Sequence, residues 1–217
     1  MELETLYRIK KETLDHNVKL LIRHSHRPSL KGVEDSLSVG LTEYGIKEAF
    51  LYGEYLPWAL GSVSASHSQR CVQTAENILK GALAENIGIS ETDMLTSTAI
   101  NDSNSAACTL CNEGNFRSVA YKLMIREELL GFATIETVAE NLLDYMFSKG
   151  NMPNVLDLYC THDFNIILLL AYLIPSIDSK EVLMQNWPEP LEGVYLWGAR
   201  DKFCFSWRGV TRCYHKP

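Results

Sequence analysis

Lys19-Leu20-Leu21-Ile22-Arg23-His24-Ser25-His26-Arg27-Pro28 is the stretch on which the reading of this chain turns. Residues 19–22 are short and apolar and read as a buried strand. Arg23-His24 ends that strand in a polar loop that runs from Ser25 to Gly40 and carries Pro28 and Gly32. Beyond it Thr42 is placed to cap a helix, and Tyr44, Ile46, Ala49, Phe50 and Gly53 lie at helical spacing up to Pro57.

The same grammar recurs downstream. Ser62-Val63-Ser64-Ala65 is a second short strand, and it runs into Ser66-His67-Ser68-Gln69-Arg70. Val72, Ala75, Leu79 and Leu83 then share one helical face. Val155 to Cys160 is a third strand, followed at once by Thr161-His162-Asp163, and Ile166 to Ile174 is a buried helix stopped by Pro175. Asn101 to Asn115 is polar and aperiodic and reads as a loop or small lid-like insertion. Two helices follow, one carrying Val119, Leu123, Met124 and Leu130, the other Val138, Leu142 and Met146, with Thr137 and Glu140 spaced as a capping box. Val194–Trp197 and Phe203–Trp207 flank residues 198–202 as a hairpin. Strands alternating with helices predict an α/β fold: a three-layer α/β/α sandwich with a mostly parallel sheet, helices on both faces and a small helical or loop insertion. The prediction is a single domain over residues 1–217, with a cap insertion at about 86–130.

Composition narrows the function classes. The chain has 217 residues, 46% hydrophobic and 22% charged, which suits a globular domain and excludes a disordered or fibrous one. A net charge of -7 disfavours nucleic-acid phosphates as partners. The six Cys have no framework-like spacing, so reduced thiols in a cytoplasm are the simplest expectation. Met1-Glu2-Leu3-Glu4 has no basic n-region or apolar run, so no signal peptide is visible, although a processed secreted form would show none either. The longest apolar run, 166–174, is about half a bilayer crossing, so no membrane partner is expected. The sequence assigns no oligomeric state.

Each of the three polar clusters, Arg23 to Arg27, His67 to Arg70 and His162-Asp163, follows a strand. In open α/β sheets ligands bind beyond the carboxyl ends of strands, so the three could converge there. Three guanidinium groups around imidazoles suit a dianionic phosphate, which they bind bidentately. A single Arg after a strand is ordinarily a surface residue. Together, buried like charges would repel unless an anion joined them.

These residues carry a resemblance. Arg23-His24-Ser25-His26-Arg27-Pro28 resembles the Arg-His-Gly-x-Arg-x-Pro region of the histidine phosphatase superfamily. Ser64 to Glu76 resembles its second arginine motif, and Leu41-Thr42-Glu43-Tyr44-Gly45 its Leu-Thr-x-x-Gly helix start. Thr161-His162-Asp163-Phe164-Asn165 resembles the His-Asp-x-Asn motif of the acid-phosphatase and phytase branch. The resemblance implies a phosphomonoester hydrolase without metal or other cofactor. His24 would be the nucleophile, forming a phosphohistidine. Arg23, Arg27, Arg70 and His162 would hold the phosphoryl oxygens. Asp163 would protonate the leaving group and then activate water. Ser25, His26, His67 and Asn165 are candidate substrate contacts, and the substrate would be a phosphorylated small molecule or a phosphoprotein. This agrees with what phosphoryl transfer demands: positioning, charge stabilisation and an acid-base group for both halves.

Two positions depart from the pattern. Ser25 replaces the usual Gly, and its side chain could either crowd the phosphate or donate to it. His26 occupies a variable position and is either a spectator or a substrate contact. The chain is also short for the acid-phosphatase branch, which leaves only about Asn86 to Leu130 for a cap, and an open cavity would favour broad or bulky substrates.

Other readings compete. Cys111-Asn112-Glu113-Gly114-Asn115-Phe116-Arg117-Ser118 fits the Cys-x-x-Gly-x-x-Arg-Ser anion loop of cysteine-dependent phosphatases, but no clear strand precedes Cys111 and Glu113 would repel phosphate. His24 with His26, and Cys108 with Cys111, have metal-ligand spacing, but Arg23 and Arg27 would oppose a dication and the Cys pair lacks a partner pair. A phosphate-binding module without turnover has Ser25 as its only support. Mutases of the superfamily usually take their acid from a Glu after the second arginine region and carry Gly-His-Gly, so Asp163 after His162 favours hydrolysis.

Overall fold

The protein's structure, a computed structural model, describes residues 3–30, 37–150 and 152–216. Of the expected loop from Ser25 to Gly40, positions 31–36, Gly32 among them, lie outside the described residues. Four strands, β1 (Val18–Arg23), β2 (Ala59–Ala65), β3 (Ile89–Glu91) and β4 (Val155–Thr161), pair in parallel. Three more, β5 (Gly193–Ala199), β6 (Lys202–Trp207) and β7 (Val210–His215), extend the sheet antiparallel from β1. The strand order is β3-β2-β4-β1-β5-β6-β7. The sheet is therefore mixed, parallel on one side of β1 and a meander on the other. Two-residue connections reverse the chain from β5 to β6 and from β6 to β7. At Arg208-Gly209 both residues have positive φ, 48° and 76°, the geometry that matches strand twist.

Alternation along the strands sends side chains to two cores. Val18, Leu20 and Ile22 pack with Leu6 and Ile9 of α1 (Leu3–Glu12), Ala49 of α2 (Glu43–Glu54), and Ala75 and Ile78 of α3 (Gln69–Gly81). Leu21, Tyr159, Val194, Leu196, Phe203 and Phe205 face the larger core. That core is covered by α4 (Asp93–Thr96), α5 (Ser103–Glu113), α6 (Phe116–Met124), α7 (Ile135–Phe147), α8 (Asp163–Leu173) and α9 (Ile177–Gln185). Helix α8 is buried almost all round, as its uniform apolarity from Ile166 predicts.

Several local expectations are corrected. Residues 101–115 are mostly helix: Asp102 caps α5 by accepting from Ser105 N at 2.8 Å, and Gly114 ends it at φ 78°. With only Ala106 buried, α5 has no apolar stripe to betray it. Helix α6 stops at Met124, short of Leu130, which is exposed. Leu83 lies beyond the end of α3 at φ 53° and is exposed rather than on its buried face. The cap of α7 is Thr134, three residues before Thr137, whose amide it receives at 3.2 Å. The cysteines are not all reduced: Cys204 and Cys213, directly opposite in the β6–β7 register, form a disulfide. Cys71 and Cys160 are buried thiols, and Cys108 and Cys111 are exposed ones. Among the described residues no helix is long and apolar enough to cross a membrane.

Candidate active site

Strands β2, β4 and β1 are neighbours and parallel, so their carboxyl ends share one edge of the sheet. Arg23 ends β1, Ser66 follows β2, and His162 follows β4 as the N-cap position of α8. Arg70 is the second residue of α3 and Asp163 the first of α8, so two helix N-termini also open onto this edge and favour an anion.

His24 lies at the floor, 3% exposed. Its Nδ1 is 2.7 Å from the Ser25 carbonyl. A carbonyl only accepts, so Nδ1 carries the proton and Nε2 keeps its lone pair. Burial, then His162, and further Arg70 and Arg23, hold the His24 imidazole well below its ordinary pKa. The result is a neutral, desolvated imidazole beside fixed cations.

His162 lies edge-on to His24, ring centroids 5.6 Å apart. Its Nδ1 is 3.2 Å from Arg70 Nη2 and its Nε2 3.0 Å from Ser66 Oγ. The guanidinium can only donate, so Nδ1 accepts and Nε2–H donates to Ser66. Ser66 is steadied in turn by Ser68 and Thr96. Arg70 is 7% exposed, and burial lowers its pKa, with Arg27 among the further causes. Arg27 is lowered by burial and by Arg23, and its Nη1 donates to the Pro28 carbonyl at 2.7 Å. Arg23 donates through Nη1 to the Pro188 carbonyl at 2.5 Å and pairs through Nη2 with Asp163 Oδ2 at 2.9 Å. Asp163 Oδ1 accepts from Phe164 N at 2.9 Å, in the first turn of its own helix.

Ser25 faces α2 and α3. Its hydroxyl donates to Gly45 O at 2.8 Å and its amide to Thr74 Oγ1 at 2.9 Å, so the side chain is committed to α2. Helix α2 comes this close because residue 45 is Gly: a Cβ there would stand 2.2 Å from the His26 carbonyl. That carbonyl also receives Thr42 N at 3.0 Å, and Thr42 caps α2 by accepting from Gly45 N at 3.0 Å. The Leu41-to-Gly45 stretch is thus the brace of the His24 loop. The His26 ring packs at 4.8 Å against Tyr44, which is exposed.

The remaining candidates, Asn165 and His67, bond to other partners. Asn165 is buried and its amide nitrogen donates to Leu95 O at 3.1 Å and Thr161 Oγ1 at 2.8 Å, tying α4 to α8. His67 lies at the rim between Glu91 at 3.3 Å and Asp93 at 3.4 Å. Those two carboxylates, Thr74 and the Pro188 carbonyl were not singled out in the sequence. Only Thr74, one turn after Arg70, carried a signal, because α3 spacing puts it under the same loop.

Cys111 stands inside helix α5, not in a loop after a strand, and is exposed. Arg117 donates to Met184 O at 2.9 Å, and Glu113 pairs with Lys122 and Ser118. Residues 111–118 therefore form a helix end and a helix start rather than an anion loop. Among the described residues no group of three or more His, Cys, Asp or Glu is placed to hold a metal ion.

No protein-family model matches the sequence, and no curated protein matches it. Solved structures do. The native mycobacterial glucosyl-3-phosphoglycerate phosphatase is 16% identical at a TM-score of 0.59, covering 93% of this chain and 100% of that one. The same protein with VO3 is 15% identical at a TM-score of 0.61, with coverage of 93% and 100%. The phosphoglycerate mutase of Bacillus anthracis str. Sterne is 16% identical at a TM-score of 0.60, covering 90% of this chain and 95% of that one. At such identity the likeness establishes the fold: this chain is built as phosphoglycerate mutase-like proteins are, over nearly its whole length.

Proposed function

We propose that the protein is a metal-independent phosphatase that hydrolyses phosphate monoesters through a phosphohistidine at His24. One observation carries the reading: a buried imidazole, proton fixed on Nδ1 by the Ser25 carbonyl, stands among Arg23, Arg70 and His162. A neutral imidazole with a free Nε2 lone pair is a competent nucleophile, and fixed cations around it stabilise the charge of a transferring phosphoryl group.

In the first half, His24 Nε2 forms a bond to phosphorus as the bond from phosphorus to the ester oxygen breaks. Asp163 delivers its proton to that departing oxygen. In the second half, Asp163 takes a proton from water as the water oxygen attacks phosphorus and the bond to His24 breaks, releasing inorganic phosphate. Arg23 serves both roles: without a phosphate it holds Asp163, and a bound phosphoryl group gives the guanidinium a second anion to share. Arg27 and Arg70 complete the clamp, and His162, whose proton is on Nε2, turns that N–H from Ser66 to a phosphoryl oxygen. Asn165 and Ser25 position this machinery rather than touch substrate.

The fold supports a phosphatase and a mutase equally, since the glucosyl-3-phosphoglycerate phosphatase and the phosphoglycerate mutase both have it. Asp163 beside His162 favours hydrolysis and the acid-phosphatase and phytase branch. Residues 86–130, which include α4, α5 and α6, act as a small cap over the same edge of one domain. The substrate is a phosphorylated small molecule or a phosphoprotein.

The test is hydrolysis of p-nitrophenyl phosphate by purified protein with a strong chelator present. Turnover that survives chelation, is inhibited by vanadate and vanishes in His24→Ala supports the reading. Turnover that persists in His24→Ala, or is lost in chelator and rescued by zinc, overturns it.

A further inference from the structure

The geometry points to Ser66 as a positioning residue whose hydroxyl competes with phosphate for the His162 N–H and takes it back as inorganic phosphate leaves. This inference rests on the phosphatase reading above and adds to it a device for product release.

Ser66 is fully buried between β2 and α3, and its Oγ lies 3.0 Å from His162 Nε2. The groups around that oxygen leave it one role. Arg70 Nη2 is 3.2 Å from His162 Nδ1 and can only donate, so the imidazole proton is on Nε2 and Ser66 accepts it. The Ser68 amide donates to the same oxygen at 3.2 Å. These two donors fill the two lone pairs of the hydroxyl. Its own proton goes to Ser68 Oγ at 3.3 Å. Thr96 Oγ1 stands 3.1 Å from Ser66 Oγ and 3.0 Å from the Thr92 carbonyl, with one proton for the two. While His162 occupies Ser66, that proton belongs to the carbonyl.

A phosphoryl oxygen that gains the His162 N–H therefore takes it from a partner, and the network has a replacement ready. The Thr96 hydroxyl turns from the Thr92 carbonyl onto the lone pair that His162 leaves. That carbonyl keeps the Leu95 amide at 3.3 Å. The His67 amide, 2.9 Å from Thr96 Oγ1, holds the threonine within reach of both acceptors. Each hydrogen bond that breaks is matched by one that forms, so the gain from the new bond to phosphate is offset. Inorganic phosphate, which offers His162 the same oxygens as the substrate, is released more readily for it. The net worth of one protein hydrogen bond sets the offset at about 2- to 10-fold in affinity.

The sign of the effect tests this. Dissociation constants of vanadate and inorganic phosphate would be measured on the whole protein and on Ser66→Ala, Thr96→Val and Thr96→Ser, beside thermal melts without either anion. In Ser66→Ala the N–H has only the anion as partner, so both anions should bind about 3- to 10-fold more tightly while Tm without them falls. A hydroxyl that only supports the fold would give the opposite sign, weaker binding with the lower Tm. In Thr96→Val nothing replaces His162 at Ser66, so both anions should bind about 2- to 5-fold more weakly, and Thr96→Ser should restore the unaltered constants. Adding Ser66→Ala to His162→Ala should change neither constant, because the competition needs both groups. Unchanged or weaker binding in a folded Ser66→Ala, or tightening that persists in the His162→Ala background, overturns the inference and leaves the phosphatase reading intact. Should Ser66→Ala not fold, unchanged or tighter binding in Thr96→Val overturns it instead. Absence of turnover and of binding by both anions in the unaltered protein overturns the phosphatase reading and this inference with it.

Discussion

Arg23 and Asp163 meet across the ends of two adjacent parallel strands, Nη2 to Oδ2 at 2.9 Å, with 17% and 28% of their side chains exposed. The pair exists because β1 and β4 run in register, Arg23 opposite Thr161, so the residue ending one strand reaches the residue opening the next helix. It places the proposed acid and one arm of the clamp in contact before any substrate arrives.

Asp163→Asn should keep the shape of this contact while removing the proton carrier. Turnover of alkyl phosphates should fall by a factor on the order of 10²–10⁴, the usual worth of acid-base catalysis. The loss should be smaller for nitrophenyl phosphate, whose leaving group needs little protonation. Equal losses in kcat for both substrates would remove Asp163 from the leaving-group role and turn attention to Glu91 and Asp93 at the rim.

His24 sets the pH behaviour. Burial and the neighbouring His162, Arg70 and Arg23 keep its imidazole neutral to well below the ordinary ~6.5. The acid limb of kcat/KM, which reports the free enzyme, should therefore lie below that value. Stability follows the same group with a definite sign. Its pKa is depressed on folding, so the unfolded chain binds the proton first, and stability falls as pH drops below ~6.5 toward the folded value. His24→Gln should remove up to one proton from that slope, about 1.4 kcal/mol per pH unit. Denaturant titrations of both proteins between pH 7 and pH 5 read the difference, and identical slopes would contradict the assignment.

Ser25→Gly should cost stability rather than phosphate affinity. It removes the hydroxyl bond to Gly45 O and loosens the unfolded chain, a loss of about 1–2 kcal/mol, or roughly 2–8 °C in Tm for a chain of this size. Vanadate inhibition should change less than 2-fold. A large gain in vanadate affinity would mean that the side chain crowds the phosphate after all.

Gly45→Ala should do the opposite kind of damage. The new Cβ would meet the His26 carbonyl at 2.2 Å, and backbone cannot step aside as a flexible side chain can. A destabilisation of about 1–3 kcal/mol is expected, together with weaker vanadate inhibition, because the loop that must move carries His24 and Arg27. Thermal melts and inhibition measured on the same preparation check both halves. An unchanged Tm would show that α2 can retreat.

The Cys204–Cys213 bridge closes a short loop at the β6–β7 edge, away from β2, β4 and β1. Reduction, or Cys204→Ser, should lower stability by at most about 3 kcal/mol and leave kcat unchanged. Thiol titration of the native protein should find Cys108 and Cys111 reactive and Cys71 and Cys160 protected until unfolding. Loss of turnover on reduction would tie that edge to the site.

By itself the sequence determined the layering and the location of the chemistry. Buried strands declare themselves through apolar runs, and Arg23-His24, His67 to Arg70 and His162-Asp163 each sit where such a run stops, so a parallel sheet must bring them to one edge. It also marked the start of α2, through the capping position of Thr42, while the close approach at Gly45 appeared only in the structure. Tertiary structure decided the rest. Helix α5 and strand β7 were illegible because neither is apolar enough to carry a period: both are mostly exposed and are held by Asp102, Gly114 and the Arg208-Gly209 turn. The Cys204–Cys213 bond depends on β7 and was hidden with it. Which way Ser25 points, which proton His24 keeps and whom Asp163 faces are relations between residues far apart in the chain. Local spacing holds no information about them, because each is settled by the partner that packing supplies: Gly45, a backbone carbonyl, and Arg23 across the strand ends.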